Sequence, residues 1–204
     1  MFNPFNLNHM TNKFQIMHII ITLGVLKFAY SQEKLIDDFE KPGIWSWWKS
    51  AVYKIEQIDG ALKVTFTNAG DPKIDNGYNC FGRDHAAEPI DFTKFNTVKV
   101  RLKLQAETPT KIRLDLKDVD DRVTNANPII KTIEPSNEWQ DLYFIFTKDK
   151  FKQSWPGNDK VDPEEIKEFL IFINPGNHAK PISGVLYIDE FKLLRDDKVP
   201  ADKK

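Results

Sequence analysis

Val98-Lys99-Val100-Arg101-Leu102-Lys103-Leu104 places an apolar residue at every even position and a charged one at every odd position. Successive side chains of an extended strand point to opposite faces, so this alternation marks a strand with one face in a core and the other in water. Ile112, Leu114 and Leu116 repeat the pattern against Arg113, Asp115 and Lys117, which predicts a second strand of the same kind. Outward from this pair, residues 53–58 and 61–67 flank Asp59-Gly60, a dipeptide that tolerates the positive φ angles of a tight hairpin turn. Further strands are expected at residues 35–40, 78–81, 140–146, 169–174 and 185–194, separated by turns such as Asn174-Pro175-Gly176. So many short strands in one domain imply an all-β fold, an antiparallel β-sandwich. The one helical signal is Asp162-Pro163-Glu164-Glu165-Ile166, where Asp can cap, Pro can take the first helical position and the acids suit the positive end of the dipole.

The chain has 204 residues, 41% hydrophobic and 29% charged. This is a globular composition and excludes a disordered, collagenous or coiled-coil protein. Lys and Arg number 29 against 30 Asp and Glu, and the formal charge of −1 lacks the electrostatic footprint of a nucleic-acid binder. Cys80 is the single cysteine, so no intramolecular disulfide can form, and with four His it offers no zinc-finger spacing. It is expected as a small buried hydrophobe.

Residues 1–31 hold Lys13 and Lys27 and no acid, and Ile16 to Leu26 is a short apolar run. Ala29 and Ser31 then suit a signal peptidase cutting before Gln32, so residues 1–31 are expected to be a signal peptide and the protein to be secreted or periplasmic. The run is broken by His18 and bounded by Lys27, too short for the ~20 apolar residues of a membrane span. Met10 opens a tidier signal than Met1, and no lipobox cysteine follows the run. Residues 32–195 are then the folded domain, and the polar residues 196–204 are expected to be a disordered charged tail.

Three segments together are similar to a known family: Leu35-Ile36-Asp37-Asp38-Phe39-Glu40 followed by Trp45, then Asp91-Phe92-Thr93-Lys94-Phe95-Asn96-Thr97-Val98, and near the end Leu186-Tyr187-Ile188-Asp189-Glu190-Phe191-Lys192-Leu193. Over residues 35–194 the chain resembles the family 11 carbohydrate-binding modules and the wider galactose-binding-like jelly rolls. The resemblance implies a sandwich whose first and last strands are neighbours, a sheet face that binds β-linked glucans, and often a structural calcium. Sugars ask two things of such a face: aromatic rings to stack on the apolar sides of pyranoses, and planar polar groups to pair with hydroxyls.

By the resemblance, Trp48 falls where the family has a stacking tyrosine, and Tyr78 falls at a second such position with Asn76 replacing a hydroxyl-binding Asp. Trp155 sits in the loop that carries a third ring. Arg113 and Asp115, on the polar face of their strand, are candidate hydroxyl partners, or else an ordinary solvated charge pair. The family's cleft-facing His and Tyr on a late strand are matched here by Leu170 and Ile173, a departure from its pattern. Because Trp45, Trp47 and Trp48 cannot all face one way, one or two are expected in the core and one exposed. For calcium, which takes six to eight oxygens, Glu40 and Asp189 are the implied ligands with Asp38 third. Asp115, Asp118, Asp120 and Asp121 lack the glycine and closing Glu of an EF-hand loop.

The sequence therefore predicts a monomeric, non-catalytic module that binds a polysaccharide or oligosaccharide and acts beside separately encoded glycoside hydrolases. A catalytic jelly roll, hydrolase or lyase, is the rival from another class. The Glu-x-Asp-x-x-Glu strand of laminarinase-like hydrolases, the Gln-x-His of jelly-roll alginate lyases and an HExxH helix are all missing. A structural or adhesion sandwich with no sugar ligand is the third reading.

Overall fold

The structure, a computed structural model, describes residues 32–41, 45, 52–74, 79–85, 87–152, 160–176 and 180–195. Within them the chain forms β1 (Gln32–Asp37), β2 (Tyr53–Ile58), β3 (Ala61–Ala69), β4 (Phe81–Asp84), β5 (Thr97–Ala106), β6 (Thr110–Asp118), β7 (Ile129–Ile133), β8 (Gln140–Ile145), β9 (Ile166–Ile173) and β10 (Ile182–Arg195). A six-stranded antiparallel sheet runs β2-β3-β10-β5-β8, with β1 also paired to β10. A four-stranded antiparallel sheet runs β4-β9-β6-β7. The first and last strands are neighbours, and the two alternating strands meet face to face across the sandwich. Val100 and Leu102 of β5 line the same interior space as Ile112 and Leu114 of β6, with Phe144 and Ile171.

The Asp59-Gly60 hairpin forms with φ of 47° and 70°. β1, by contrast, stops at Asp37. Asp37 Oδ1 accepts the Phe39 backbone N–H at 2.8 Å, and Phe39 takes φ 58°, which ends the pairing. A left-handed non-glycine residue costs about 1–2 kcal/mol. Burial of the Phe39 ring, 1% exposed, contributes about 1.5–3 kcal/mol, so the packing wins.

Around that bend the two sheets are tied together. Trp45, 2% exposed, donates its indole N–H to Asp37 Oδ2 at 2.7 Å. Arg83 of β4 pairs with the same oxygen and donates to the Ile36 carbonyl at 3.0 Å. Rings continue the link: Phe39 to Trp45 at 5.3 Å, Trp45 to Phe191 of β10 at 5.4 Å, and Phe191 to Phe169 of β9 at 5.2 Å. His85 stands edge-on to Phe169 at 5.8 Å with its Nε2 buried and unpartnered among the described residues. Burial, with the Arg83 charge, holds its pKa down at about 4.

Other expected elements are corrected. Residues 162–166 make no helix: Asp162 Oδ1 accepts the Glu164 N–H at 3.0 Å in a single turn, and Ile166 is already engaged in sheet bonds with Ile90 at 2.8 and 3.0 Å. The strand expected at 78–81 is β4 at Phe81–Asp84. β7 was not expected, because adjacent Ile129 and Ile130 mask its alternation.

On β10, Gly184 passes so close to β5 that a Cβ there would lie 2.6 Å from the Gln105 carbonyl oxygen and 2.8 Å from the Phe66 ring. Gly184→Ala is expected to destabilise the fold by about 1–3 kcal/mol, the cost of overpacking. The denaturant midpoint of the purified variant, compared at unchanged m-value, checks this.

Candidate functional site on the four-stranded sheet

Along β6 the core-facing residues are Ile112, Leu114 and Leu116, so Arg113, Asp115 and Lys117 point to the outer face of the four-stranded sheet. The antiparallel register sets Arg113 beside Phe172, Asp115 beside Leu170 and Lys117 beside Glu168 on β9. Gly82 of β4 sits beside Leu170 on the far side. Cys80, Leu170 and Phe172 form a small apolar cluster on this face, with Val123 packed against it.

Asp115 is 0% exposed. Its carboxylate accepts the Arg113 Nε–H at 3.0 Å and pairs with Nη2 in a bidentate fork. The guanidinium lies over the Phe172 ring, 4.7 Å from its centroid. Burial pushes the Asp115 pKa up to about 6, while Arg113 pulls it down. The pair is therefore ionised at neutral pH, and it is a buried ion pair instead of the solvated one that surface strands usually carry. A guanidinium has five N–H donors, and Asp115 occupies only those on Nε and Nη2, so the remaining donors have no protein partner among the described residues. Next along the face, Lys117 bridges Asp121 at 2.9 Å and Glu168 at 3.4 Å. Burial pushes the Cys80 thiol up to about 12, which removes it as a nucleophile.

Of the residues singled out in the sequence, Arg113 and Asp115 are brought together here. Trp48, Asn76, Tyr78 and Trp155 lie outside the described residues. The described flank of Tyr78 is on this face, since Cys80 belongs to its apolar cluster. Lys152 and Lys160, which bracket the segment carrying Trp155, pair with each other, and the Lys152 carbonyl accepts the Ala126 N–H at 3.3 Å in the loop that supplies Val123. Leu170 faces outward as matched, but Ile173 is turned into the core, and Phe172 shares the face of Leu170 instead. Period two forbids residues 170 and 173 from sharing a face of a regular strand. Phe172 was missed because its pairing with Arg113 depends on the β6–β9 register, which no local signal encodes.

Among the described residues the implied calcium ligands lie apart. Asp38 and Glu40 are exposed after β1. Asp189, on the outer face of the other sheet, pairs with Arg101 at 3.3 Å. Among the described residues no three His, Cys, Asp or Glu side chains converge as a metal would need. No helix among the described residues is long and apolar enough to cross a membrane.

No protein-family model and no curated protein sequence matches the chain. Solved structures do match its fold. The family 11 carbohydrate-binding module of the cellulosomal cellulase Lic26A-Cel5E of Clostridium thermocellum is 18% identical with a TM-score of 0.50, the match covering 81% of this chain and 95% of that one. A solution structure of a family 11 module is 17% identical with a TM-score of 0.52, covering 82% and 98%. An agarase is 10% identical with a TM-score of 0.57, and the match covers 82% of this chain but only 25% of the agarase. The chain thus has the jelly-roll sandwich fold of carbohydrate-binding modules and spans about a quarter of the agarase it matches.

Arg113→Ala is expected to leave Asp115 buried without a partner, at a cost of about 3 kcal/mol. The folded-state pKa of Asp115 is already raised from 3.8 to about 6 and would rise further in the variant. The deficit should therefore be largest above the variant's raised pKa, shrink as pH falls from there towards 6 because the variant's Asp115 protonates first, and level off below 6. Urea unfolding of both proteins from pH 4 to 8 reads this out. Thermal unfolding with and without EDTA tests the implied calcium, and an unchanged midpoint would count against it. A drop on chelation would mean that a cation does join β1 to β10.

Proposed function

We propose that this chain is a secreted or periplasmic, non-catalytic carbohydrate-binding module that holds a neutral polysaccharide of the β-glucan type along the outer face of the four-stranded sheet. The observation that carries the reading is Arg113, a guanidinium fixed by the buried Asp115 and the Phe172 ring with donors unspent. A fixed planar donor set loses little entropy when it meets paired sugar hydroxyls. Trp48, Tyr78 and Trp155 supply the stacking rings in this reading, and Asn76 a further hydroxyl partner. The family 11 fold and the signal-peptide-like residues 1–31 support it.

The same face argues against hydrolysis. A glycosidase needs two available carboxyl groups across the scissile bond, whereas here Asp115 is held by Arg113 and Glu168 by Lys117. Such a module works by keeping an enzyme close to its substrate through effective concentration, here beside separately encoded glycoside hydrolases and as a monomer.

Affinity electrophoresis of the protein through gels containing β-glucan, xylan, laminarin or mannan tests the proposal. Retardation by β-glucan is expected, with Arg113→Lys weakening it at least about tenfold, the loss of bonds to a charged donor fork. Trp48→Ala and Tyr78→Ala should each reduce retardation with little change in thermal midpoint. Free migration through all four gels would overturn the reading.

A further inference from the structure

The outer face of the six-stranded sheet carries a row of side chains that crosses the strands. The register sets Lys63 of β3 beside Tyr187 of β10, and Tyr187 beside Lys103 of β5. Trp139 directly precedes β8, whose Gln140 pairs with Leu102. The Lys103 ammonium lies 4.7 Å from the centroid of the Tyr187 ring and 4.9 Å from that of the Trp139 ring. The Arg101 guanidinium approaches Trp139 from the next position at 5.6 Å. Cation and ring thus alternate as Lys63, Tyr187, Lys103, Trp139 at about the 4.8 Å spacing of neighbouring strands, comparable to the length of one sugar unit.

Most charges on this face are matched. Lys99 bridges Asp141 and Glu190, Arg101 pairs with Asp189, Lys192 with Glu190 and Lys54 with Glu56. Lys103 has no carboxylate in ion-pair reach among the described residues, and Lys63 faces Glu56 of β2, a carboxylate that it shares with Lys54, so cations outnumber carboxylates along this row. The Trp139 indole N–H and the Tyr187 hydroxyl likewise have no hydrogen-bond partner among them. Contact with the two rings stabilises the Lys103 ammonium by about 0.5–1 kcal/mol per ring at an exposed site and fixes its position, but does not neutralise it.

We infer that this row is a second glycan-binding strip, specific for an anionic polysaccharide. Its sugar rings stack on Tyr187 and Trp139, and its carboxylate or sulfate groups meet Lys63 and Lys103. Charge complementarity selects this occupant. A neutral glycan could use the rings but would cover the Lys103 ammonium without compensating it, which costs free energy. A nucleic acid would need many more free cations than this row holds, and the chain as a whole carries a formal charge of −1. The strip lies on the opposite sheet from Arg113 and stands whether or not that face binds β-glucan.

The test runs the full chain through gels containing alginate, a carboxylated polymer, or carrageenan, a sulfated one, with dextran, an uncharged α-glucan, as the control. At least one polyanion should retard the protein, the retardation falling as salt rises, and the polymer that does so identifies the acidic group. Lys103→Gln and Trp139→Ala should each weaken that retardation at least tenfold, while Arg113→Lys leaves it unchanged. Lys103→Gln removes one charge from a partly exposed side chain and serves as the decisive variant if Trp139→Ala unfolds. Free migration in both polyanions, or full retardation of a folded Lys103→Gln protein, would overturn the inference.

Discussion

β10 hydrogen-bonds to β5 from Gly184 to Leu194 on one side, and on the other to β3 and then to β1 where β3 has ended. The six-stranded sheet cannot form around any other strand, because only this one reaches both the hairpin near the amino-terminal end and the β5–β8 edge. A bulge between Ile188 and Glu190 resets its alternation, so Leu186, Ile188, Phe191 and Leu193 all enter the core while Asp189 and Glu190 both make ion pairs. Without that extra residue Phe191 would point outward, and the ring contacts to Trp45 and Phe169 that tie the sheets together would be lost.

With the sandwich fixed in this way, its two outer faces become chemically different surfaces. On the four-stranded sheet the charged groups are drawn down among apolar ones, so that Asp115 is buried and Arg113 is flattened on Phe172. A buried pair is weak evidence for stability, since desolvation offsets much of its Coulomb energy. Its physical consequence is positional: a guanidinium that cannot swing away presents its unused donors at a fixed place. On the six-stranded sheet the charges stay near water, most in shallow pairs worth little individually, and Lys103 lies against two aromatic rings with no carboxylate partner among the described residues.

The parts of this arrangement legible in the sequence are those governed by local chemistry. β5 and β6 alternate because each has one wet face, and Asp59-Gly60 marks its hairpin by its tolerance of positive φ. The stretch from Asp37 to Trp45 was recognisable as a motif, but neither the burial of Trp45 in particular nor its function as a tie was, since the partner Arg83 lies 46 residues beyond Asp37. β9 is buried on both faces along most of its length, so it shows no alternation, and the outward parity of Leu170 and Phe172 could not be read from it. The contacts among Lys103, Tyr187 and Trp139 depend on the register of three strands. Four expected ligand residues, Trp48, Asn76, Tyr78 and Trp155, stay as sequence-based expectations.

The central claim is that glycan binds at the outer face of the four-stranded sheet, and residue-resolved NMR of the labelled protein during titration with a β-glucan oligosaccharide tests it most directly. The account predicts saturable shifts of the Arg113 Nε–H and of the Gly82, Leu170 and Phe172 amides, with the β10 amides unmoved. Shifts confined to other surfaces, or none at saturating ligand, would contradict it.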